Sequence, residues 1–394
     1  MRRPSDLKAG IFRAVIIGPS PRFLSGISYY TLRLSNALAG RSSLTTILFR
    51  HMLPTRLFPG WRRVGTPLSS MEYDRRVRVA EILDWYNPFT WLEAYRLIRS
   101  SDLVIIQWWT CSVAHMYLLL QILNQGRIPV LIEFHEVVDP LENSIAPIRI
   151  YSRVMGRLIR RYATRFAVHS DHDRSLVAVR YHIPAERISV IPHGLYDQYP
   201  VLSQERMKAR LGVEGTYVYL FFGLLRPYKG VVHLIHAFEQ LPAEIRDRSM
   251  LLIVGETWED QVSAAEAAAS PISDRIRLVS RYVSDEEVPV FFSAADTLLL
   301  PYTRASQSGV AHIGISYGLP IIASRVGGLG ESLAGYDGTL FVPPGDEQAL
   351  TRTMEAVYRS PGSRYPVNEH LRWETVAGKY SDEMSALVHK RGSA

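Results

Sequence analysis

Short runs of β-branched and aliphatic residues alternate with helical patterns from one end of this 394-residue chain to the other, and that alternation constrains its fold most. Runs of this length between amphipathic segments read as buried strands of parallel sheets covered by helices. In the first half the pattern predicts strands at residues 14–17, 45–49, 103–107, 130–134, 165–169 and 188–191. Asn87 and Pro88 mark a helix start, an asparagine cap followed by proline in the first turn, and open a helix over 89–98. Residues 50–70 carry Pro54, Pro59 and Pro67 without a clean period and read as a long functional or mobile loop.

The alternation breaks after Ile191. Pro192-His193-Gly194, then Tyr199-Pro200 and a polar helix near 203–211, read as an interdomain linker. Strands resume at 217–222, 250–254, 275–279, 296–300, 320–324 and 339–342, separated by helices notably at 230–241, 284–293 and 308–317. The expectation is two successive Rossmann-like, doubly wound α/β domains, 1–195 and 203–365, with a last helix at 373–390 packing back onto the first. Ligands of such sheets bind beyond the carboxyl ends of the strands, so the active site is expected between the halves. No short repeat or heptad run supports a solenoid or coiled coil.

Composition narrows the class. At 47% hydrophobic and 21% charged residues, the chain has the balance of a folded soluble protein and not that of a disordered one. A single cysteine, Cys111, excludes an intramolecular disulfide and a thiolate metal cluster, and fits a reducing, cytoplasmic setting. Cys111 follows an apolar run and is expected to be buried and inert. No stretch reaches the ~18 apolar residues of a membrane span, and the start shows no signal-peptide core.

The net charge is +7, densest in the first half. Arg149, Arg153, Arg157, Arg160, Arg161 and Arg165 recur at helical spacing with Ile150, Val154, Leu158 and Ile159 between them. That basic amphipathic helix reads equally as a surface for anionic lipid, which would make the protein peripheral on the inner membrane face, or as a solvated face over a core stripe. No helix-turn-helix, zinc or RNA-binding signature accompanies the charge, so nucleic acid is not an expected partner.

Two segments carry chemistry. In Phe221-Phe222-Gly223-Leu224-Leu225-Arg226-Pro227-Tyr228-Lys229-Gly230 a strand runs through a glycine turn into a helix, with Arg226 and Lys229 at its mouth. Free N–H groups at a helix amino end and two cations suit a diphosphate, and the same cations would stabilise charge on a departing diphosphate without a metal. On spacing alone, an ordinary surface cation pair is the commoner reading. The second segment, Pro301-Tyr302-Thr303-Arg304-Ala305-Ser306-Gln307-Ser308-Gly309-Val310, again leads from a strand through a polar turn into a helix, with Ser308 as cap and Gly318 as the C′ residue. Beyond it, Arg325-Val326-Gly327-Gly328-Leu329-Gly330-Glu331 offers glycines for close approach to a ligand.

In this order and spacing the pieces resemble the retaining glycosyltransferases of family 4, which have the GT-B fold. The resemblance is strongest over about residues 160–345, through the Ser170-Asp171 region, residues 183–194, the Gly-Leu-Leu-Arg-Pro-Tyr-Lys-Gly run and residues 318–324. It implies a GT-B architecture with a central cleft, hexose transfer from a nucleotide diphosphate sugar with retention, no required metal and no cofactor. It assigns Arg226 and Lys229 to the diphosphate and Gly223, Gln307, Ser308, Gly309 and Val310 to the donor. Ser25-Gly26-Ile27 looks like the family's amino-terminal glycine loop, and reads equally as a simple helix start. His135, in Glu133-Phe134-His135-Glu136, matches the histidine that reaches the transferred sugar. Trp108 and Trp109 are candidates for sugar stacking or for core packing.

One departure stands out. The family's Glu-x7-Glu falls on Ala305 and Ile313, so both acids are missing, and Glu331 is the nearest acidic candidate for a donor contact. Gln307, Ser308 and backbone N–H groups would then hold the sugar. The sequence thus favours transfer of a hexose to a hydroxyl of a glycan or lipid-linked acceptor. Alternatives are a nucleotide-sugar-binding subunit without catalysis, or a sugar-nucleotide epimerase on the same fold.

Overall fold

The computed structural model describes residues 12–52, 64–66, 71–137, 146–257, 260–360 and 364–392. The chain divides into two compact units, one formed by residues up to Gly194 together with those from His370 on, the other by Leu195–Glu369. Most of the loop expected at 50–70 lies outside the described residues.

The first unit contains β1 (Phe12–Pro19), α1 (Gly26–Leu38), β2 (Ser42–His51), β3 (Arg78–Asp84), α2 (Pro88–Ile98), β4 (Leu103–Trp108), α3 (Ala114–Asn124), β5 (Val130–Phe134), α4 (Ala146–Tyr162), β6 (Arg165–Val168), α5 (Asp171–Tyr181) and β7 (Ile188–Val190). The second runs through α6 (Gln204–Leu211), β8 (Tyr217–Phe222), α7 (Val231–Glu239), α8 (Ala243–Arg246), β9 (Ser249–Val254), α9 (Gln261–Ala269), β10 (Ile276–Val279), α10 (Val288–Ala294), β11 (Thr297–Leu300), α11 (Gly309–Ser316), β12 (Ile321–Ser324), α12 (Gly327–Ala334), β13 (Thr339–Val342) and α13 (Glu347–Arg359). The last helix, α14 (Trp373–Gly392), returns to the first unit.

Both sheets are parallel, ordered β3-β2-β1-β4-β5-β6-β7 and β10-β9-β8-β11-β12-β13. In each, successive strands are laid down in one direction and then in the other from the middle, the doubly wound pattern that the alternation predicts. The reversal falls between β1 and β4 in the first sheet and between β8 and β11 in the second.

Strand alternation assigns the faces. Ala14, Ile16, Leu103, Ile105 and Leu131 pack with Tyr30, Leu34 and Leu38 of α1 and Val376, Ala377 and Tyr380 of α14. Val15, Ile17, Val104, Ile106, Val130 and Ile132 point the other way, against Ala94, Met116, Ile159 and Val177 of α2 to α5. Local signals set the helix ends: Asn87 Oδ1 accepts from Phe89 N with Pro88 in the first turn, and Ser203 caps α6 while Gly212 closes it.

Strand β3 is absent from the six strands expected in this half. It lies at the sheet edge, bonded on one side only, and its Arg78, Glu81 and Asp84 interrupt the apolar pattern that would betray it. The helix expected from 284 starts at Val288, because Ser284–Glu287 closes a turn in which Glu287 accepts from the Ser284 backbone and hydroxyl.

Two glycines separate backbone conformation from close packing. Gly212 and Gly230 both sit at positive φ, +61° and +69°, but a Cβ at Gly212 would meet nothing within 4 Å, whereas one at Gly230 would overlap the carbonyl oxygen of Pro301. Gly212→Ala should therefore cost about 1 kcal/mol from the left-handed backbone, and Gly230→Ala roughly 2–4 kcal/mol. Urea unfolding of the two variants checks this; equal losses would show that the Gly230 approach imposes no constraint.

Candidate functional site

The second sheet's reversal point carries both segments singled out in the sequence. From Phe222 the chain turns through Gly223, at φ +115°, into a short 3-10 turn over Pro227–Lys229 and then α7. From Leu300 it turns through Pro301–Ser308 into α11, where Ser308 Oγ accepts from Ala311 N. The two turns touch. Thr303 N donates to Tyr228 O at 2.8 Å, Gly230 lies under Pro301, and a Cβ at Gly223 would come 3.2 Å from Val310. Arg226, Lys229, Gly223, Gly309 and Val310 are thus gathered at one strand edge.

Aromatic rings hold the cations. Lys229 Nζ sits 3.7 Å from the centroid of Tyr302, a ring with no exposed surface, and Arg304 lies over Tyr228 at 4.9 Å. Arg226 and Lys229 are both half-buried. The Tyr302 hydroxyl meets Ser308 Oγ at 3.3 Å, and burial raises the Tyr302 pKa, keeping it a neutral hydrogen-bonding phenol.

Ser308 is buried, and its hydroxyl accepts from Ala311 N in the α11 cap and meets the Tyr302 hydroxyl. Gln307 behaves differently: its amide nitrogen and oxygen are both buried and have no hydrogen-bond partner. A buried primary amide without partners is costly, and a polar ligand is one way to satisfy it. Ile313 is buried and Ala305 half-buried, so neither missing acid is replaced at its own position. Glu331 is exposed on the second turn of α12.

In the first unit, Ser25 caps α1 in a capping box with Ser28, and Gly26 is the first residue of that helix. A Cβ at Gly18 would strike Gln107 and Thr31, so this glycine lets α1 lie close over the end of β1. Of the two readings of Trp108, sugar stacking or core packing, its place is in the core, 6% exposed beside Tyr117 and Phe134. As the last residue of β4 its side chain follows the strand alternation inward. Trp109 is half-buried with its ring edge-on to Phe49. Cys111 is buried.

His135 is 9% exposed and stands in a polar cluster that the motifs did not reveal. Glu133, on the same face of β5, has no exposed surface and accepts a hydrogen bond from Tyr380, whose hydroxyl lies 3.0 Å from that of Tyr30. The Tyr30 ring packs against His135 at 4.6 Å, and His169 lies 5.0 Å from His135. A lone acid in the apolar run Val-Leu-Ile-Glu-Phe was the available signal. Its partners come from α1, β4, β6 and α14 and share no spacing.

The proton positions follow from the partners. The Ile191 carbonyl can only accept, so His169 Nδ1 donates to it at 3.0 Å, which leaves Nε2 as an acceptor. His135 Nδ1 donates to that Nε2 across a long 3.4 Å contact. His135 Nε2 is then unprotonated, without a hydrogen-bond partner, and 3.9 Å from Glu133 Oε2, which also has none. Two bare acceptors face each other unless Glu133 holds a proton. Burial pushes the Glu133 pKa up to about 7 against hydrogen bonds from Tyr30, Tyr380 and Gln107, while burial pushes His169 down to about 4 and His135 well below its usual value. Glu133, His135 and His169 also offer one ligand atom each within 4.8 Å of one another, which is close enough for a divalent ion.

Residues 24–198 match the family model described as Glycosyltransferase Family 4, and residues 216–360 the model described as Glycosyl transferases group 1. Each of the two units thus matches a glycosyltransferase domain model, and the fold is the GT-B fold of two Rossmann-like domains. A 2-deoxystreptamine glucosyltransferase of Streptomyces kanamyceticus is 31% identical over 170 residues, 43% of each chain. A D-inositol 3-phosphate glycosyltransferase of Xylanimonas cellulosilytica is 25% identical over 419 residues, 99% of this chain and 98% of the relative. The chain spans about half the length of the first curated relatives it matches, 43–54%. HepE of Anabaena, solved in complex with UDP and glucose, has the same fold, with a TM-score of 0.65 and 16% identity over 97% of this chain and 98% of its own.

The buried charges make a pH prediction. A raised Glu133 pKa favours the folded state below about pH 4.5 and loses that contribution as pH rises through about 7; lowered histidine pKa values act oppositely, losing theirs as pH falls from 6.5. The two oppose each other between about pH 4.5 and 6.5. Glu133→Gln should leave the histidines alone, so that stability climbs more steeply with pH across this window, by up to about 1.4 kcal/mol per pH unit. Parallel wild-type and variant curves in urea unfolding would refute the proton assignment.

Proposed function

We propose that the chain transfers a hexose from a nucleotide diphosphate sugar to a hydroxyl of a glycan or lipid-linked acceptor, with retention and without a metal. The observation that carries this reading is the pair of touching turns at the reversal of the second sheet, with Arg226 and Lys229 on one and the unsatisfied Gln307 amide on the other. Support also comes from the glucosyl and inositol phosphate activities named for its relatives, and from UDP and glucose in the HepE structure.

In this reading the diphosphate lies along Gly223–Lys229 and the amino end of α11. As the bond between the sugar C1 and the diphosphate oxygen breaks, negative charge grows on the leaving group, and Arg226 and Lys229 stabilise it. The acceptor oxygen bonds to C1 on the same face, and its proton passes to the departing phosphate oxygen, so no protein nucleophile is required. The energetic contribution of the protein is then position and charge. Gln307 takes hydrogen bonds from the sugar in place of an acid at Ala305. His135, Gly26, Trp109 and Glu331 remain secondary candidates for donor or acceptor contact, carried by the family resemblance alone.

A specific observation favours one other reading. Alanine and buried isoleucine at the positions of both family acids would suit a subunit that binds nucleotide sugar without transferring it.

Calorimetry and product analysis with a panel of nucleotide sugars separate the two. Arg226→Ala and Lys229→Ala should each weaken donor binding roughly tenfold to a hundredfold, as expected for losing a charge-assisted phosphate contact. Gln307→Leu should weaken the nucleotide sugar but not the bare nucleoside diphosphate. Wild-type donor affinity in both cation variants would overturn the site, and tight donor binding with no sugar released to water or any acceptor would favour the non-catalytic subunit.

A further inference from the structure

Helix α4 has two outward rows that the core does not use. Its inner side is fixed by Ile159, which has no exposed surface, by buried Ser152 and Gly156, and by Tyr151, whose hydroxyl meets Nδ1 of His115 on α3 at 2.8 Å. At 3.6 residues per turn, residues four apart stack along one side of a helix. Ile150, Val154, Leu158 and Tyr162 form such a row, and they are 64%, 49%, 36% and 42% exposed. The neighbouring row is Arg149, Arg153, Arg157 and Arg161, all exposed. Arg160 flanks it and lies over Tyr181 of α5 at 4.0 Å. The helix sequence holds these five arginines and no acid.

The exposure decides between the two sequence readings of this helix. A core stripe does exist, but it is Ile159 with Ser152, Gly156 and the partly buried Tyr151 and Met155. Ile150, Val154 and Leu158 face outward instead. An apolar ridge lying in water beside an unbroken basic ridge has the form of a helix that rests in a lipid interface.

We propose that the outer face of α4 docks on a bilayer surface rich in anionic lipid, with Ile150, Val154 and Leu158 entering the interface and the arginines beside them pairing with lipid phosphates. Charge complementarity selects this occupant. A second copy seated face to face would set five arginines against five. A nucleic acid would use the arginines and leave the aliphatic row in water. No helix among the described residues is long and apolar enough to cross a membrane, so this contact would be peripheral. The inference stands on α4 alone and is independent of the donor reading.

The test is sedimentation of the full chain with vesicles of phosphatidylcholine alone or mixed with phosphatidylglycerol, at low and high salt. Expected is binding to the mixed vesicles only, weakened about tenfold or more by salt or by Arg153→Gln/Arg157→Gln/Arg161→Gln. Val154→Ser/Leu158→Ser should also weaken it about tenfold while every charge is kept. All these side chains lie on the surface, so both variants should keep the wild-type unfolding midpoint, which the same samples report. Equal binding to neutral and mixed vesicles, or no binding to either, overturns the proposal. So does RNA binding that needs the arginines but ignores Val154→Ser/Leu158→Ser, or a dimer in sedimentation equilibrium that the serine variant dissolves.

Discussion

Everything proposed for the second unit depends on the approach of Gly230 to the carbonyl of Pro301. That contact, with the Thr303 to Tyr228 hydrogen bond, clamps together two turns that leave adjacent strands. Parallel topology makes it possible. All strands end at one edge of the sheet, and only at the reversal between β8 and β11 do neighbouring chains depart in opposite directions and leave room for a ligand. Any side chain at residue 230 would push the turns apart, and with them Lys229 from its seat on Tyr302.

The first unit places its polar groups differently. Glu133 occupies an inward position in an interior strand of a sheet covered on both faces, where a carboxylate is costly without partners. α1 brings Tyr30, α14 brings Tyr380, and the neighbouring strand ends bring Gln107 and His169. Residues separated by up to 350 positions thereby gather around one acid, while the bonds from His169 to the Ile191 carbonyl and from His135 to His169 fix which nitrogen of His135 is bare. The C-terminal helix is accordingly part of the chemistry of this unit as well as of its packing.

The missing acids and the orphaned amide belong together. Without glutamates at Ala305 and Ile313, the second turn has no anionic acceptor for sugar or ribose hydroxyls. Gln307, two residues beyond Ala305, offers a neutral donor and acceptor in a buried setting. Under the proposed donor reading, exchanging a carboxylate for an amide changes which hydroxyl geometries are preferred while leaving the turn with Arg226 and Lys229 untouched, so phosphate and sugar would be held by separate features.

Local pattern along the chain makes legible the α/β class, twelve of the thirteen strands among the described residues in outline, and the two turns with Arg226, Lys229 and Gln307. Periodicity and turn chemistry are local, and buried parallel strands write them strongly. Edge strand β3 escaped because half of its surface is solvated, and the two readings of Trp108 stayed open because an aromatic residue at a strand end suits a core or a ligand alike. Folding alone buries the Ser308 hydroxyl between its own helix and Tyr302, sets Glu133 among two tyrosines and two histidines, and turns the aliphatic row of α4 outward. Each of these is a question of which distant surfaces meet, and spacing along the chain holds no record of that.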